Sequence, residues 1–326
     1  STGVGLLEAV LATEGVTDIV VNGPDQVWFD RGRGLERSEV CFTDDAAVRQ
    51  LAARLATACG RRLDDAQPFA DGRLLRDDGT VVRFHALLAP PSAGHTCLSL
   101  RVLRQATTTL DELVAGGTVT AGIAELLRAV VRRRRAFLVV GGTGTGKTTL
   151  LAALLAEVDH GERILCIEDT AELQPRHPHV LNLVSRGRNT EGSGRITMSD
   201  LLTQALRMRP DRIIVGEIRG AEVVDLLAAL NTGHEGGAGT IHANALDEVP
   251  ARLEALAALG GLDRTALHSQ LAAALDVVIV MRRGPDGRRV LHQLGLLRGN
   301  PVTTQVVWDS HDGEREGYAA FREALT

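Results

Sequence analysis

"GGTGTGKTTL", running from Gly141 to Leu150, is the stretch on which the fold of this chain turns. Its seventh residue, Lys147, is the only lysine among 36 basic residues; all the others are arginine. Gly141, Gly146, Lys147 and Thr148 satisfy GxxxxGKT between "AFLVV", which reads as a strand, and "KTTLLAALLAEV", which reads as a helix. In that setting the glycines let backbone N–H groups wrap phosphates, and the helix N-terminus adds positive potential. The lysine then reaches over the loop to the β and γ oxygens. A flexible stem with a compact ammonium can make that crossing, whereas the planar fork of an arginine would collide with the loop. The residues expected to hold nucleotide are Gly141, Gly142, Thr143, Gly144, Thr145, Gly146, Lys147, Thr148 and Thr149, with the Thr148 hydroxyl directed to Mg²⁺.

The rhythm on either side of this loop sets the fold class. From Val119 onward, helices alternate with the apolar strands "AFLVV", "RILCIED", "RIIVGE" and "GAGTIH". That alternation predicts an α/β domain with a mostly parallel sheet covered on both faces. "DVVIVMRRGPDGRRVLHQLGLL" reads as a hairpin turning at Gly284 to Gly287. Before Arg104 the pattern differs: "TDIVVNG", "QVWFD", "TVVRFHALLA" and "TCLSLRVL" read as strands, and "DDAAVRQLAARLATACG" as a helix with an Asp cap and a Gly stop. The expected organisation is a smaller α+β domain over 1–104, a linker carrying one short helix over 105–118, and a nucleotide-binding domain over 119–326.

Composition narrows the function classes. The 326 residues carry 36 basic and 41 acidic side chains, a net charge of −5, which disfavours a protein that wraps DNA. Cys41, Cys59, Cys97 and Cys166 are scattered with no CxxC pair, so they are expected to be reduced, buried and inert, with no zinc site. No charged-then-apolar leader opens the chain, and no apolar stretch approaches the ~20 residues of a membrane span, so a soluble cytoplasmic protein is expected. The opening Ser1 in place of Met is what a trimmed chain would show. The run Arg132 to Arg135 reads as a solvated helix end.

Two acidic strand ends accompany the loop. "RIIVGEIRG" ends in Glu217, and "RILCIEDTAEL" brings Glu168 and Asp169 to a similar height on the C-terminal edge of the sheet, where open α/β sheets bind ligands. Both glutamates are candidates for Mg²⁺ binding and for activating water. "NTGHEGGAGTIHANA" places His234 and His242 around a glycine cluster, and both are expected at the same edge, facing the γ-phosphate.

Taken together, these segments resemble one family, the traffic ATPases of type II and type IV secretion systems. The likeness rests on "GGTGTGKTTLL" (its Walker A loop), "CIEDTAEL" (its Asp box), "ALRMRPDRIIVGEIRG" (its Walker B segment) and "TGHEGGAGTIHAN" (its His box). "DIVVNGPDQVWFDRG", "RLATACGRRLDD" and "PFADGRLLRDDGTVVRFHALLAPP" are similar to the tight-adherence (Flp) pilus branch, and no tetracysteine zinc element is present. The resemblance implies a RecA-like P-loop motor domain preceded by a smaller α+β (PAS-like) domain. It implies a hexameric ring at the inner face of the cell membrane, working with inner-membrane platform proteins and without direct nucleic-acid binding. It also implies that Arg83 and Arg101 of the first domain complete the site at the γ-phosphate. A conjugal-transfer motor acting on a DNA–protein substrate, and a nucleotide-gated scaffold with negligible turnover, are the rival readings.

Overall fold

The computed structural model describes residues 3–78, 80–103, 105–187 and 194–326. These divide into two compact units: residues up to Gln105, with Gly194 and Arg195, build the first, while Ala106–Gly187 and Ile196–Thr326 build the second. The boundary expected at Arg104 falls outside the described residues.

The first unit opens with a short helix α1 (Glu8–Leu11) and contains β1 (Asp18–Val21), β2 (Val27–Asp30), β3 (Leu35–Arg37), α2 (Asp45–Ala58), β4 (Phe69–Leu75), β5 (Val81–Leu87) and β6 (Cys97–Leu103). Its strands form one antiparallel sheet in the order β3-β2-β1-β6-β5-β4. Asp44 starts α2 by accepting a hydrogen bond from the Ala47 N–H, as the sequence predicts. Val48, Leu51, Ala52 and Leu55 then cover one face of the sheet, packing on Ile19, Val82, Phe84 and Leu100. The opposite face is open. Because side chains alternate along a strand, the outward residues of β4, β5 and β6 line up in rows across the sheet. One row reads Arg73, Arg83, Arg101, Asp18, Asp30 and Leu35.

The second unit runs α3 (Leu110–Ala115), α4 (Ala121–Arg132), β7 (Phe137–Gly141), α5 (Lys147–Leu155), β8 (Ile164–Glu168), β9 (Val180–Val184), α6 (Met198–Ala205) and β10 (Arg212–Ile218). It continues through α7 (Glu222–Asn231), β11 (Ala238–His242), α8 (Val249–Leu259), α9 (Arg264–Ala274), β12 (Val277–Arg283), β13 (Arg289–Arg298), β14 (Thr303–Asp309), β15 (Gly313–Glu314) and α10 (Tyr318–Leu325). Its sheet has the order β15-β14-β13-β12-β7-β11-β10-β8-β9. The strands from β12 to β9 are parallel, and β13 to β15 extend the sheet antiparallel. Both faces are covered: Phe137 and Val139 of β7 pack with α3, α4 and α5, while Leu138 and Val140 pack with α6 to α9. That double cover explains why the central strands read as unbroken apolar runs.

Several expectations change. Residues 106–118, read from sequence as a linker, are built into the second unit: Ala106 bridges Leu173, and Leu110 and Leu113 are buried in the core. The strands β3, β4, β9 and β14 and the helices α8 to α10 were not singled out by the sequence pattern. Only Cys166 of the four cysteines is buried; Cys41 is exposed and the other two are partly exposed, since they sit at strand and helix margins. The arginine run is also more than a solvated helix end, because Arg134 turns into the left-handed region at φ 53° and its neighbours fold back onto the protein.

Candidate functional site

The phosphate loop leaves β7 at Gly141 and enters α5 at Lys147. Only glycine fits at Gly141, since an added Cβ would lie 2.6 Å from the Met281 carbonyl on the adjacent strand β12 and 2.5 Å from Thr145 Oγ1. Gly146 takes φ +94°, a left-handed conformation that glycine adopts without strain. The Thr145 hydroxyl closes the loop by donating to the Gly142 carbonyl at 2.9 Å. No side chain caps α5, so its first backbone N–H groups are left for an anion. Lys147 lies back across the loop, with Nζ donating to the Gly141 and Gly142 carbonyls at 2.9 and 2.8 Å. Burial pulls its pKa down, opposed by the nearby charge of Glu217 and reinforced by Arg219.

The two glutamates differ sharply. Glu217, near the end of β10, keeps a partly exposed carboxylate paired with Arg219, whose guanidinium also holds Asp169 at 2.8 Å. Glu168, at the end of β8, is 3% exposed. One of its oxygens accepts from the Glu172 and Leu173 N–H groups, both at 3.0 Å, and the other from Asn182 at 3.1 Å. Gly216 makes room for it, because an added Cβ there would sit 2.6 Å from Glu168 Cγ. Burial pushes the Glu168 carboxyl up to about 7 in spite of those hydrogen bonds. These contacts make it an anchor for the loop 169–173, at the strand end where the sequence made it a candidate for Mg²⁺ binding or water activation.

The histidines separate as well. His242 ends β11 directly across from Gly141 in register, exposed beside the loop. His234 precedes β11 and therefore lies beyond the opposite end of that strand, which itself spans about 13 Å at ~3.3 Å per residue. The expectation of two histidines at one edge is thus corrected by strand direction. His234 N–H donates to the Ala229 carbonyl at the end of α7, and its Nδ1 is buried with no partner among the described residues.

Thr148 and Thr149 occupy the first turn of α5, half-buried. The Thr148 hydroxyl and the Glu217 carboxylate are hard oxygen donors suited to Mg²⁺, which usually takes only one or two protein ligands beside phosphates and water. Among the described residues no group of three or more His, Cys, Asp or Glu is arranged to hold a metal by itself. Arg83 and Arg101 belong to the first unit, where they are directly opposed on the open face of its sheet. Sequence reading missed Arg219, Asn182 and Asn244, whose Oδ1 lies 3.7 Å from where a Cβ on Gly142 would be. The spacing of two between Glu217 and Arg219, which puts them on one side of an extended strand end, was the available signal.

The pattern that defines the type II/IV secretion system protein family matches residues 1–295, and the chain belongs to this family. It is 57% identical over 328 residues to Rv3659c of Mycobacterium tuberculosis, whose name assigns it provisionally to conjugal transfer; the match spans 99% of this chain and 93% of that protein. It is 32% identical to the conjugal transfer protein TrbB of Sinorhizobium fredii, described as probable, over 84% of this chain and 81% of the relative. Among solved structures, the pilus retraction motor PilT with bound ADP superposes with a TM-score of 0.64 at 21% identity, covering 98% of this chain and 86% of that one. The architecture is accordingly that of a RecA-like P-loop domain preceded by a smaller α+β domain. No helix among the described residues is long and apolar enough to cross a membrane.

Proposed function

We propose that this chain is a Mg²⁺-dependent ATPase and the motor of a pilus-assembly or secretion machine, working as a homo-oligomeric ring against membrane platform proteins. The observation that carries the reading is the uncapped α5 N-terminus, with Lys147 laid across its glycine loop and Glu217 close enough to influence the lysine's charge. Gly141 to Thr149 hold the phosphates. Thr148 and Glu217 would hold Mg²⁺, which supplies neutralisation of phosphate charge when bound. Glu217 also orients and deprotonates the attacking water, His242 faces the γ-phosphate from the neighbouring strand end, and Glu168 keeps the Asp-box loop in place. Phosphoryl transfer to water asks mainly for such positioning and electrostatics.

Arg83 and Arg101 supply the transition-state charge in this reading. The support is their side-by-side placement on the open sheet face, extended by Arg73 on β4. Like charges directly opposed across strands cost stability unless an anion joins them. His234, at the far edge, is left out of the catalytic set. The tight-adherence branch and the filament as cargo rest on the sequence resemblance; the names of the two relatives favour conjugal transfer as the setting.

Phosphate release by the full chain, measured with and without Mg²⁺, tests the reading. Turnover should require Mg²⁺, and Glu217→Gln should lower it by about 10²-fold or more while nucleotide binding persists. A wild-type chain that binds ATP yet releases no phosphate would make the nucleotide-gated scaffold the better account.

A further inference from the structure

The β12–β13 hairpin has no part in the reading above, yet it stands at the phosphate loop. β12 runs parallel to β7, so its C-terminal end rises beside the loop, and the Met281 carbonyl crowds Gly141. The chain then turns through Gly284 to Gly287, with Gly284 N–H donating to the Arg288 carbonyl at 2.8 Å, and returns along β13. The first residue of β13 is Arg289. Its side chain lies along the loop: a Cβ on Gly146 would be 3.1 Å from Arg289 Cδ and 3.7 Å from Arg289 Cβ. Gly146 is the residue at which the α5 N-terminus opens.

Charge on the hairpin is lopsided. Arg282, Arg283, Arg288 and Arg289 accompany a single carboxylate, Asp286, which faces Arg288 at 3.6 Å and accepts its backbone N–H at 3.0 Å. Arg289 is directly opposed by Arg283 in the strand register. No carboxylate among the described residues pairs with Arg289. An exposed arginine thus lies with its aliphatic stem against Gly146, at the mouth of an anion site.

We propose that Arg289 is a nucleotide-binding residue, pairing with the diphosphate that ADP and ATP share at the α5 N-terminus. The inference rests on the nucleotide-binding reading of the loop and adds to it a ligand from outside the motif, carried by the far side of the sheet. The hairpin makes this contact in both nucleotide states, unlike residues directed to the γ-phosphate. It therefore sets affinity for both nucleotides alike.

The test is calorimetric titration of the full chain with ADP and with ATP, for the wild type, Arg289→Gln and the neighbouring Arg288→Gln. Loss of a charge-assisted contact should weaken Arg289→Gln binding about tenfold to hundredfold. The loss should match for ADP and ATP within about threefold, and KM for ATP should change more than kcat does. Arg288→Gln removes the same charge one residue away, and both affinities should stay within about twofold of wild type, since exposed charges a residue away from a contact add little. Arg289 is exposed, so equal melting temperatures should confirm that all three proteins are folded. Wild-type affinity in Arg289→Gln, an equal loss in Arg288→Gln, or a loss confined to ATP would each overturn the assignment. A wild type that binds neither nucleotide would instead fail the ATPase reading itself.

Discussion

Two arginine-rich regions of this chain use positive charge in opposite ways. At the N-terminal edge of the nine-stranded sheet, buried Arg212 holds Glu162 through two contacts of 2.7 and 3.1 Å and donates to the Val131 carbonyl at 2.9 Å. Arg134 reaches the same Glu162 at 2.9 Å, and Arg135 pairs with Asp276 at 3.0 Å. On the open face of the six-stranded sheet, Arg83 and Arg101 stand opposite each other with no carboxylate in ion-pair range among the described residues. The first set is satisfied by the fold and tied to strand starts and helix ends. The second is left to its sheet neighbours: Arg101 is opposed by Arg83 on one side and by Asp18 on the other.

The largest effect should come from Lys147, whose ammonium donates to the Gly141 and Gly142 carbonyls of its own loop. Lys147→Ala should abolish measurable turnover and weaken ATP binding severely while leaving the melting curve in place. Lys147→Arg should be nearly as damaging, because the broad fork cannot replace the ammonium. Wild-type activity in the arginine variant would remove the steric account of the single lysine.

Arg101→Ala sharpens the contrast most directly. Turnover should fall about 10³-fold, the scale of an arginine that stabilises phosphoryl transfer. Stability should meanwhile stay within about 1 kcal/mol of wild type, because the variant removes a like-charge pairing with Arg83 and an opposite-charge pairing with Asp18 together. Denaturant melts and phosphate release on one preparation give both numbers. A larger loss of stability would place Arg101 with the structural arginines.

Arg212→Met is the converse experiment. It strands Glu162 with Arg134 alone and removes a buried donor, so unfolding free energy should drop by about 3–5 kcal/mol. Equilibrium urea denaturation measures the drop, and a stable variant would mean that Arg134 alone can satisfy Glu162.

The smallest effect concerns Glu168. Its carboxyl is raised from 4.5 to about 7 by burial, so the folded chain holds a proton there that the unfolded chain has released. Stability from this group is therefore complete below about pH 4.5 and is lost as pH rises to about 7, a change on the order of 3 kcal/mol. Glu168→Gln should lack that slope. Melting temperatures between pH 5 and 8 compare the two, and an identical slope would mean the carboxyl titrates normally.

The parts of the site legible in the sequence are contiguous. The loop from Gly141 to Thr149 is one local motif, and the central strands are buried on both faces, so their apolar runs could not be mistaken. The half-covered strands were harder: β4 alternates Phe69, Asp71, Arg73 and Leu75 outward, and β9 ends in exposed Val184, so neither shows a continuous apolar signal. The placement of Glu217 beside the loop also followed from its position at a strand end.

What the chain's order of residues determined alone is that a phosphate loop with a single lysine joins a strand to a helix and that a parallel sheet surrounds it, because backbone geometry and hydrophobic burial are local or periodic properties. Tertiary structure decided the rest. Strand direction sent His234 to the edge away from His242. The missing side chain of Gly216 let Glu168 fold inward and become an anchor. Register across three strands aligned Arg73, Arg83 and Arg101, and the path of β12 brought Arg289 to Gly146, some 140 residues from it in sequence. Each of these depends on which residues face one another across hydrogen-bonded strands, a relation that has no signature in the spacing of any single segment.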